Sequence, residues 1–154
     1  MIAQEGIVNE ATDVALQDAI IIQALQSEFH YLVDHGRASE CTALFVPDGK
    51  MVFGPGSPSP GTLEGAAAIA QFFDRRQAMS DVTSRHVIST PHFERIDASR
   101  VAVTTILTVF RMQGAGPHAP DVTLVADMHE IYVRTRDKGW RLELRDVTPV
   151  YTRG

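Results

Sequence analysis

One stretch of the chain is the starting point for predicting the fold: Val122-Thr-Leu-Val-Ala-Asp-Met-His-Glu-Ile-Tyr-Val133. It is rich in β-branched and aromatic residues and is bounded by turn-forming residues, which predicts a β-strand. The alternation of side chains along a strand puts Asp127 and His129 on one face, together with Val125 and Ile131. A buried polar group without a partner costs about 1–3 kcal/mol. This face therefore either lines a polar pocket or is the solvent side of the sheet.

More strands are predicted on both sides of this stretch. The pattern is extended throughout the chain after residue 83, and the expected strands are residues 84–89, 92–96, 100–112, 122–134 and 140–150. Short loops separate them, which is typical of antiparallel pairing. The two longest strands imply a strongly curved sheet that wraps around the helices and encloses a cavity.

The first half of the chain is predicted to be mainly helical. Apolar residues at three- and four-residue steps indicate an amphipathic helix from Thr12 to Asp34: Ile22, Leu25, Phe29, Leu32 and Val33. A short second helix is expected to end at the turn Val46-Pro-Asp-Gly49, followed by a strand at 50–53 and a third helix at 66–78. Helices followed by a meander of strands indicate the α+β class.

The segment Gly54-Pro-Gly-Ser-Pro-Ser-Pro-Gly61 has three prolines and three glycines in eight residues. This composition excludes regular structure and predicts an exposed loop, with a flap over a pocket as one interpretation.

Composition restricts the class of protein. The chain has 154 residues, of which 44% are hydrophobic and 21% charged, which predicts one globular domain at 13–154. Residues 1–12 have a mixed composition, and we expect them to form a loose arm. The formal net charge is −5 with 14 scattered Lys and Arg residues, which argues against a nucleic-acid partner. Cys41 is the only cysteine, so no disulfide framework is expected. With neither an apolar membrane span nor a signal peptide in view, we expect a cytoplasmic protein without a membrane partner.

Familiar catalytic motifs are absent from the sequence, and the six histidines form no compact ligand set, so no metal and no cofactor is expected. The groups that could perform acid–base chemistry are Asp34, His86, Asp127, His129 and Arg145. Each also has a plainer interpretation. Asp34 precedes the helix-ending Gly36 as a surface residue would, a single strand histidine such as His86 is more often structural, and Arg145 suits a surface ion pair.

Several segments together resemble a known family. They are the first helix ending in Asp34, Ala43-Leu-Phe-Val-Pro-Asp48, Gly61-Thr-Leu-Glu-Gly65-Ala-Ala-Ala-Ile, Ser84-Arg-His86 and Lys138-Gly-Trp140-Arg-Leu. Their order over residues 14–150 is similar to the SnoaL-like branch of the NTF2-like superfamily. The resemblance implies an α+β cone, in which a curved antiparallel sheet folds around three helices and leaves a pocket at its open end.

The resemblance also implies a site. Members with dehydratase or dehydrochlorinase activity use an aspartate–histidine dyad, in which the carboxylate orients an imidazole that acts as general base. Asp34 and His86 stand at these two positions. Asp127 and His129 match strand positions that face the substrate, and Arg145 matches an active-site arginine. Further substrate contacts are expected from Tyr31, Phe53, Val125 and Ile131.

The implied activity is that of a cofactor-independent lyase or isomerase on a small, mostly apolar cyclic or aromatic hydroxy-carbonyl compound. His86 would remove a proton next to the carbonyl and Asp34 would fix its tautomer. Arg145 and His129 would stabilise the enolate, and Asp127 would protonate the leaving hydroxyl. Phe29 replaces a lysine of the dehydrochlorinase members, so halide elimination is not implied.

Other functions stay open at this point. The small subunits of ring-hydroxylating dioxygenases share the fold and only support their partners, and a ligand-binding module would need the pocket alone. Within the enzyme class, a polyketide-cyclase-like aldol reaction also begins with proton abstraction next to a carbonyl. An exposed sheet face favours a homo-oligomer, either a dimer or a trimer.

Overall fold

The computed structural model describes residues 13–153. The expected arm at residues 1–12 and the expected helix start at Thr12 lie outside this range. The described part contains α1 (Leu16–Asp34), a 3₁₀ helix (Ala38–Leu44), β1 (Phe45–Phe53), β2 (Gly61–Glu64), α2 (Gly65–Ala78), β3 (Val82–Arg95), β4 (Arg100–Gln113), β5 (Val122–Thr135) and β6 (Gly139–Thr152). No helix within residues 13–153 is long and apolar enough to cross a membrane.

The six strands form one curved, open sheet in the order β2-β1-β6-β5-β4-β3. The pairs β3–β4, β4–β5 and β5–β6 are all antiparallel, which confirms the predicted meander. The pairing of β1 with β6 is parallel, although only antiparallel pairing was expected. Because α2 and the whole meander separate β1 from β6 in the chain, the hairpin argument does not apply to this pair. The α+β cone is confirmed.

The helices pack on the concave face of this sheet. The apolar stripe of α1 is buried as predicted, with Ile22, Phe29 and Leu32 at most 4% exposed. Full burial of each such side chain contributes about 1.5–3 kcal/mol. The same core includes Phe73 of α2 and Trp140 of β6. A second, smaller apolar cluster lies further along the strands: Leu107, Val109, Ala126, Met128 and Val147.

Two strand boundaries differ from the prediction. The expected turn at 46–49 lies inside β1, where the register with β6 shifts between Phe45 and Lys50. Pro47 lies in this shifted segment, and a proline has no N–H to donate to a strand ladder. The two strands expected at 84–89 and 92–96 are one strand, β3, which is irregular between Ser89 and His92. Thr90 has a positive φ of 51° there. The strand therefore bends at the point where the sequence predicted a break between two strands.

A bulge in β6 decides which of its side chains point inward. Ile131 pairs with Leu144 but Tyr132 pairs with Leu142, so Glu143 is an extra residue in β6. A bulge shifts the alternation of side chains by one position. Leu142 is buried before the bulge and Arg145 after it, whereas unbroken alternation from Leu142 would turn Arg145 outward.

Candidate active site

Asp34 and His86 form a hydrogen-bonded pair where the end of α1 meets β3. The Nδ1 atom of His86 lies 2.6 Å from Oδ1 of Asp34. The backbone N–H of His86 also donates to Oδ2 of Asp34, at 2.8 Å. The carboxylate thus holds His86 by both its ring and its backbone. The Asp34 side chain is only 6% exposed, so its plainer interpretation as a surface aspartate is wrong.

Two further side chains complete the surroundings of the carboxylate. Arg76 Nη2 donates to Ser84 Oγ at 2.8 Å, and Ser84 Oγ donates to Asp34 Oδ1 at 2.7 Å. Burial alone would raise the pKa of Asp34, but the hydrogen bonds and charge of His86 and the hydroxyl of Ser84 together lower it from its ordinary value. Asp34 is therefore an anion at neutral pH.

The anionic carboxylate determines the tautomer of His86. Because Nδ1 carries the proton that it donates to Asp34, the neutral ring has its lone pair on Nε2. Nε2 has no hydrogen-bond partner among the described residues, and His86 lines a cavity. This arrangement can accept a proton from a molecule in the cavity.

The cavity has a volume of about 480 Å³, and three members of the second apolar cluster line it: Leu107, Val109 and Val147. Phe53 lines it, at a position where the sequence predicted a substrate contact. Three residues of the Pro- and Gly-rich loop, Gly56, Ser57 and Pro58, also border it. Its walls are mainly apolar: Phe29, Val33, Phe53, Phe72, Leu107, Val109, Leu124 and Val147. Such walls suit a small, largely apolar ring compound.

Arg145 also lines the cavity, and it belongs to a buried polar network. Arg145 is 4% exposed, and Glu130, directly opposite it on β5, is completely buried and accepts a hydrogen bond from Arg145 Nη1. Gln26 Nε2 donates to the same carboxylate at 2.7 Å, and the Tyr132 hydroxyl donates at 3.1 Å. The guanidinium lies 4.0 Å above the Phe29 ring. The surface ion pair considered for Arg145 is therefore wrong.

His30 connects this network to the dyad. Arg145 Nη2 donates to His30 Nε2 at 2.9 Å, so Nδ1 carries the proton and donates to the Gln26 carbonyl at 2.7 Å. Burial, followed by the charges of Arg145 and His86, keeps the pKa of His30 well below 6.5. The ring is neutral, and its centroid lies 5.4 Å from that of His86. His30 is not among the predicted site residues, although it precedes Asp34 by four positions and so shares its helix face.

Four of the expected site residues lie elsewhere, on the outer face of β5. Asp127 is exposed, and His129 bonds to Thr104 at 3.0 Å. Val125 and Ile131 share this outer face, because the buried positions of β5 are Ala126, Met128, Glu130 and Tyr132. The expectation that these four residues face the substrate is wrong. The solvent-side interpretation of Asp127 and His129 is the one that the structure supports.

Tyr31 is the fifth residue that the structure does not bring to the cavity. It is half exposed on α1 and stacks on His35 with ring centroids 4.2 Å apart. Asp34, His86, Arg145 and Phe53 thus remain as the predicted residues that meet at one site. Within residues 13–153 no group of three or more His, Cys, Asp or Glu side chains could hold a metal ion.

A curved sheet around two α-helices places the protein in the class of cystatin-like folds. Within this class, the chain belongs to the family of the SnoaL-like domain, whose model matches residues 14–146. A comparison with curated proteins finds no match.

Solved structures agree with this fold. An NTF2-like protein with a cystatin-like fold from Novosphingobium aromaticivorans is 22% identical, with 88% of this chain and 83% of that chain covered and a TM-score of 0.71. A provisionally assigned scytalone dehydratase from the same species is 17% identical, with coverages of 90% and 87% and a TM-score of 0.73. ActVI-ORFA from Streptomyces coelicolor is 19% identical, with coverages of 86% and 96% and a TM-score of 0.73. At these identities the likeness concerns the fold.

Proposed function

We propose that the protein is a cofactor-independent enzyme of the dehydratase, isomerase or cyclase type. Its substrate would be a small, mostly apolar cyclic or aromatic hydroxy-carbonyl compound. The observation that carries this proposal is the 2.6 Å contact between Asp34 and His86, which leaves Nε2 of the imidazole without a hydrogen-bond partner in the described part of the chain, at a mainly apolar cavity. Membership in the SnoaL-like family and the scytalone dehydratase-like neighbour lend general support.

The first step would be removal of a proton from the carbon next to the substrate carbonyl. His86 Nε2 accepts the proton, and the electron pair moves into the carbonyl to form an enolate. The negative charge of Asp34 stabilises the imidazolium that results, as the aspartate does in other Asp–His pairs. If the next carbon carries a hydroxyl, the enolate electron pair forms a C=C bond as the C–O bond breaks, and the leaving hydroxyl takes the proton back from His86 and departs as water. The same enolate could instead be reprotonated elsewhere or attack a second carbonyl.

Arg145 would stabilise the enolate from the cavity wall. A buried cation aimed at developing negative charge acts strongly in a site without water. Its charge is partly balanced by Glu130, so this contribution would be smaller than that of an unpaired arginine. Asp127 and His129 take no part in the proposal, because both lie on the outer face of β5.

The test measures proton abstraction, because dehydration, isomerisation and cyclisation all begin with this step. Exchange of the α-protons of 2-tetralone into deuterated buffer, followed by ¹H NMR, reports it without a full substrate. We expect the wild-type protein to accelerate exchange and His86→Ala to reduce the rate by about 10²–10⁴-fold. Asp34→Asn should also be strongly impaired, since it no longer holds the tautomer. The matched control is His129→Ala, a histidine on the outer face, which should exchange at the wild-type rate.

Equal rates for wild type and His86→Ala would contradict the proposal. A support subunit or a binding module would behave in this way, because neither needs a base. If the wild-type protein does accelerate exchange, a second assay identifies the reaction type. A β-hydroxy ketone, assayed for the absorbance of its dehydrated product, would distinguish dehydration from isomerisation and cyclisation.

A further inference from the structure

Two arginines at the edge of the cavity form no ion pair with any residue that the structure describes. Arg76, in the last turn of α2, and Arg111, on β4, both line the cavity that contains His86. Both also line a second hollow of about 380 Å³, which residues 58–63 border. Among the described residues neither arginine forms an ion pair. Arg76 donates to Ser84 Oγ, and Arg111 donates to Met79 Sδ at 3.4 Å.

Two other arginines line the same cavity, Arg145 and Arg153, and each of them does contact a carboxylate. A guanidinium has five N–H donors, so one hydrogen bond leaves Arg76 and Arg111 with most of their donors available. The helix dipole favours an arginine at the end of α2, which accounts in part for Arg76. It does not account for Arg111, which lies on a strand.

The register of the sheet brings Arg111 close to the dyad. Arg111 pairs with Ser84 across β3 and β4, and Val109 pairs with His86. Side chains at directly opposite positions have Cβ atoms roughly 5 Å apart. Arg111 therefore lies diagonally opposite His86 on the neighbouring strand, and both side chains are on the same face of the sheet. Burial, followed by the repulsion from Arg111, lowers the pKa of Arg76, and the attraction of Asp34 offsets this only in part. An anion between the two arginines would relieve their repulsion.

We propose that Arg76 and Arg111 bind a carboxylate group of the substrate. A carboxylate matches the planar fork of a guanidinium, and the apolar wall formed by Phe53 and Phe72 would hold the ring that bears it. The substrate class is thus narrowed to small cyclic or aromatic carboxylic acids that also carry a carbonyl group. The identity of the reacting carbon rests on the proposed function, but the binding of the carboxylate does not.

Isothermal titration calorimetry with two ligands of the same shape tests this inference. The probes are 2-naphthoate and 2-naphthamide, which differ in charge but hardly in size. We expect wild type to bind 2-naphthoate at least about tenfold more tightly than 2-naphthamide. Arg111→Met should lose most of this preference while its affinity for 2-naphthamide stays the same. Arg136→Met, which removes an exposed arginine from the β5–β6 turn, is the matched control and should keep the preference.

Equal affinities of wild type for the two probes would overturn the inference, as would the absence of 2-naphthoate binding at millimolar concentration. An equal loss of both affinities in Arg111→Met would do the same. Tighter binding of 2-naphthyl phosphate than of 2-naphthoate would overturn the carboxylate assignment and favour a phosphate group. If Arg111→Met does not fold, added NaCl must weaken 2-naphthoate binding and leave 2-naphthamide binding unchanged.

The titrations separate this inference from the proposed function. His86→Ala removes the base but neither arginine, so it should retain the preference for 2-naphthoate. A protein that prefers 2-naphthoate but exchanges no α-protons would uphold the carboxylate site and refute the base. The reverse result would uphold the base and refute the carboxylate site.

Discussion

Replacement of Glu130 by glutamine should destabilise the protein strongly. Glu130 is completely buried and accepts hydrogen bonds from Arg145, Gln26 and Tyr132. Glu130→Gln keeps the volume of the side chain but leaves the buried cation of Arg145 without its counter-charge. Removing one partner of a buried ion pair costs about 3–5 kcal/mol. Since domains of this size unfold with about 5–15 kcal/mol, the loss is a large part of the total.

Urea unfolding measures this loss. Circular dichroism at 222 nm and the fluorescence of Trp140, the only tryptophan of the chain, should give one coincident transition with a lower midpoint. Glu64→Gln is the matched control, because Glu64 pairs with Lys50 where both side chains are more than half exposed. That pair should contribute little, so the control should unfold close to wild type.

A double variant distinguishes the ion pair from a general packing defect. Glu130→Gln combined with Arg145→Met removes both charges, so it should be less destabilised than the sum of the two single variants. A cost below about 1 kcal/mol for Glu130→Gln, or strict additivity in the double variant, would refute the reasoning.

Three further predictions concern single side chains. Because burial keeps the pKa of His30 well below 6.5, only the unfolded chain takes up this proton as the pH falls below 6.5. The free energy of unfolding should therefore fall towards lower pH, by up to about 1.4 kcal/mol per pH unit, and urea melts at two pH values should show a smaller fall in His30→Gln. Ser84→Ala removes a hydrogen bond that lowers the pKa of Asp34, so ¹³C NMR titration of the carboxyl should give a higher pKa than in wild type. Burial raises the pKa of Cys41 to about 12, so Ellman's reagent at pH 8 should react only after unfolding, and fast reaction of the folded protein would contradict this.

Periodicity along β5 predicted which residues share a face but not which face is inward. Each face carries an acidic residue, Asp127 on one and Glu130 on the other, together with apolar neighbours. What separates them is the partner: Glu130 meets Arg145, 15 residues away, and Gln26, 104 residues away. No local pattern contains that information. The resemblance to known proteins led to the wrong face for Asp127 and to the right location for His86.

The burial of Arg145 could not be predicted because the bulge at Glu143 has no clear signal in the sequence. Without this bulge, Arg145 would lie on the solvent side of β6 together with Glu143. The contact between Asp34 and His86 depends on how α1 packs against β3. The spacing of residues along the chain does not predict this packing. The sequence predicted both positions only through the resemblance. The homo-oligomer and the cytoplasmic location stay predictions.

The parallel pairing of β1 with β6 has a consequence for how the chain acquires its structure during synthesis. Phe45 pairs with Leu142 and Phe53 with Val147, so almost a hundred residues separate the partners. While the ribosome is still making the meander, β1 can pair with β2 but its other edge has no partner. Contacts between such distant segments form late because the loop between them must first be closed. Truncated chains that end before β6 should therefore aggregate through the open edge of β1.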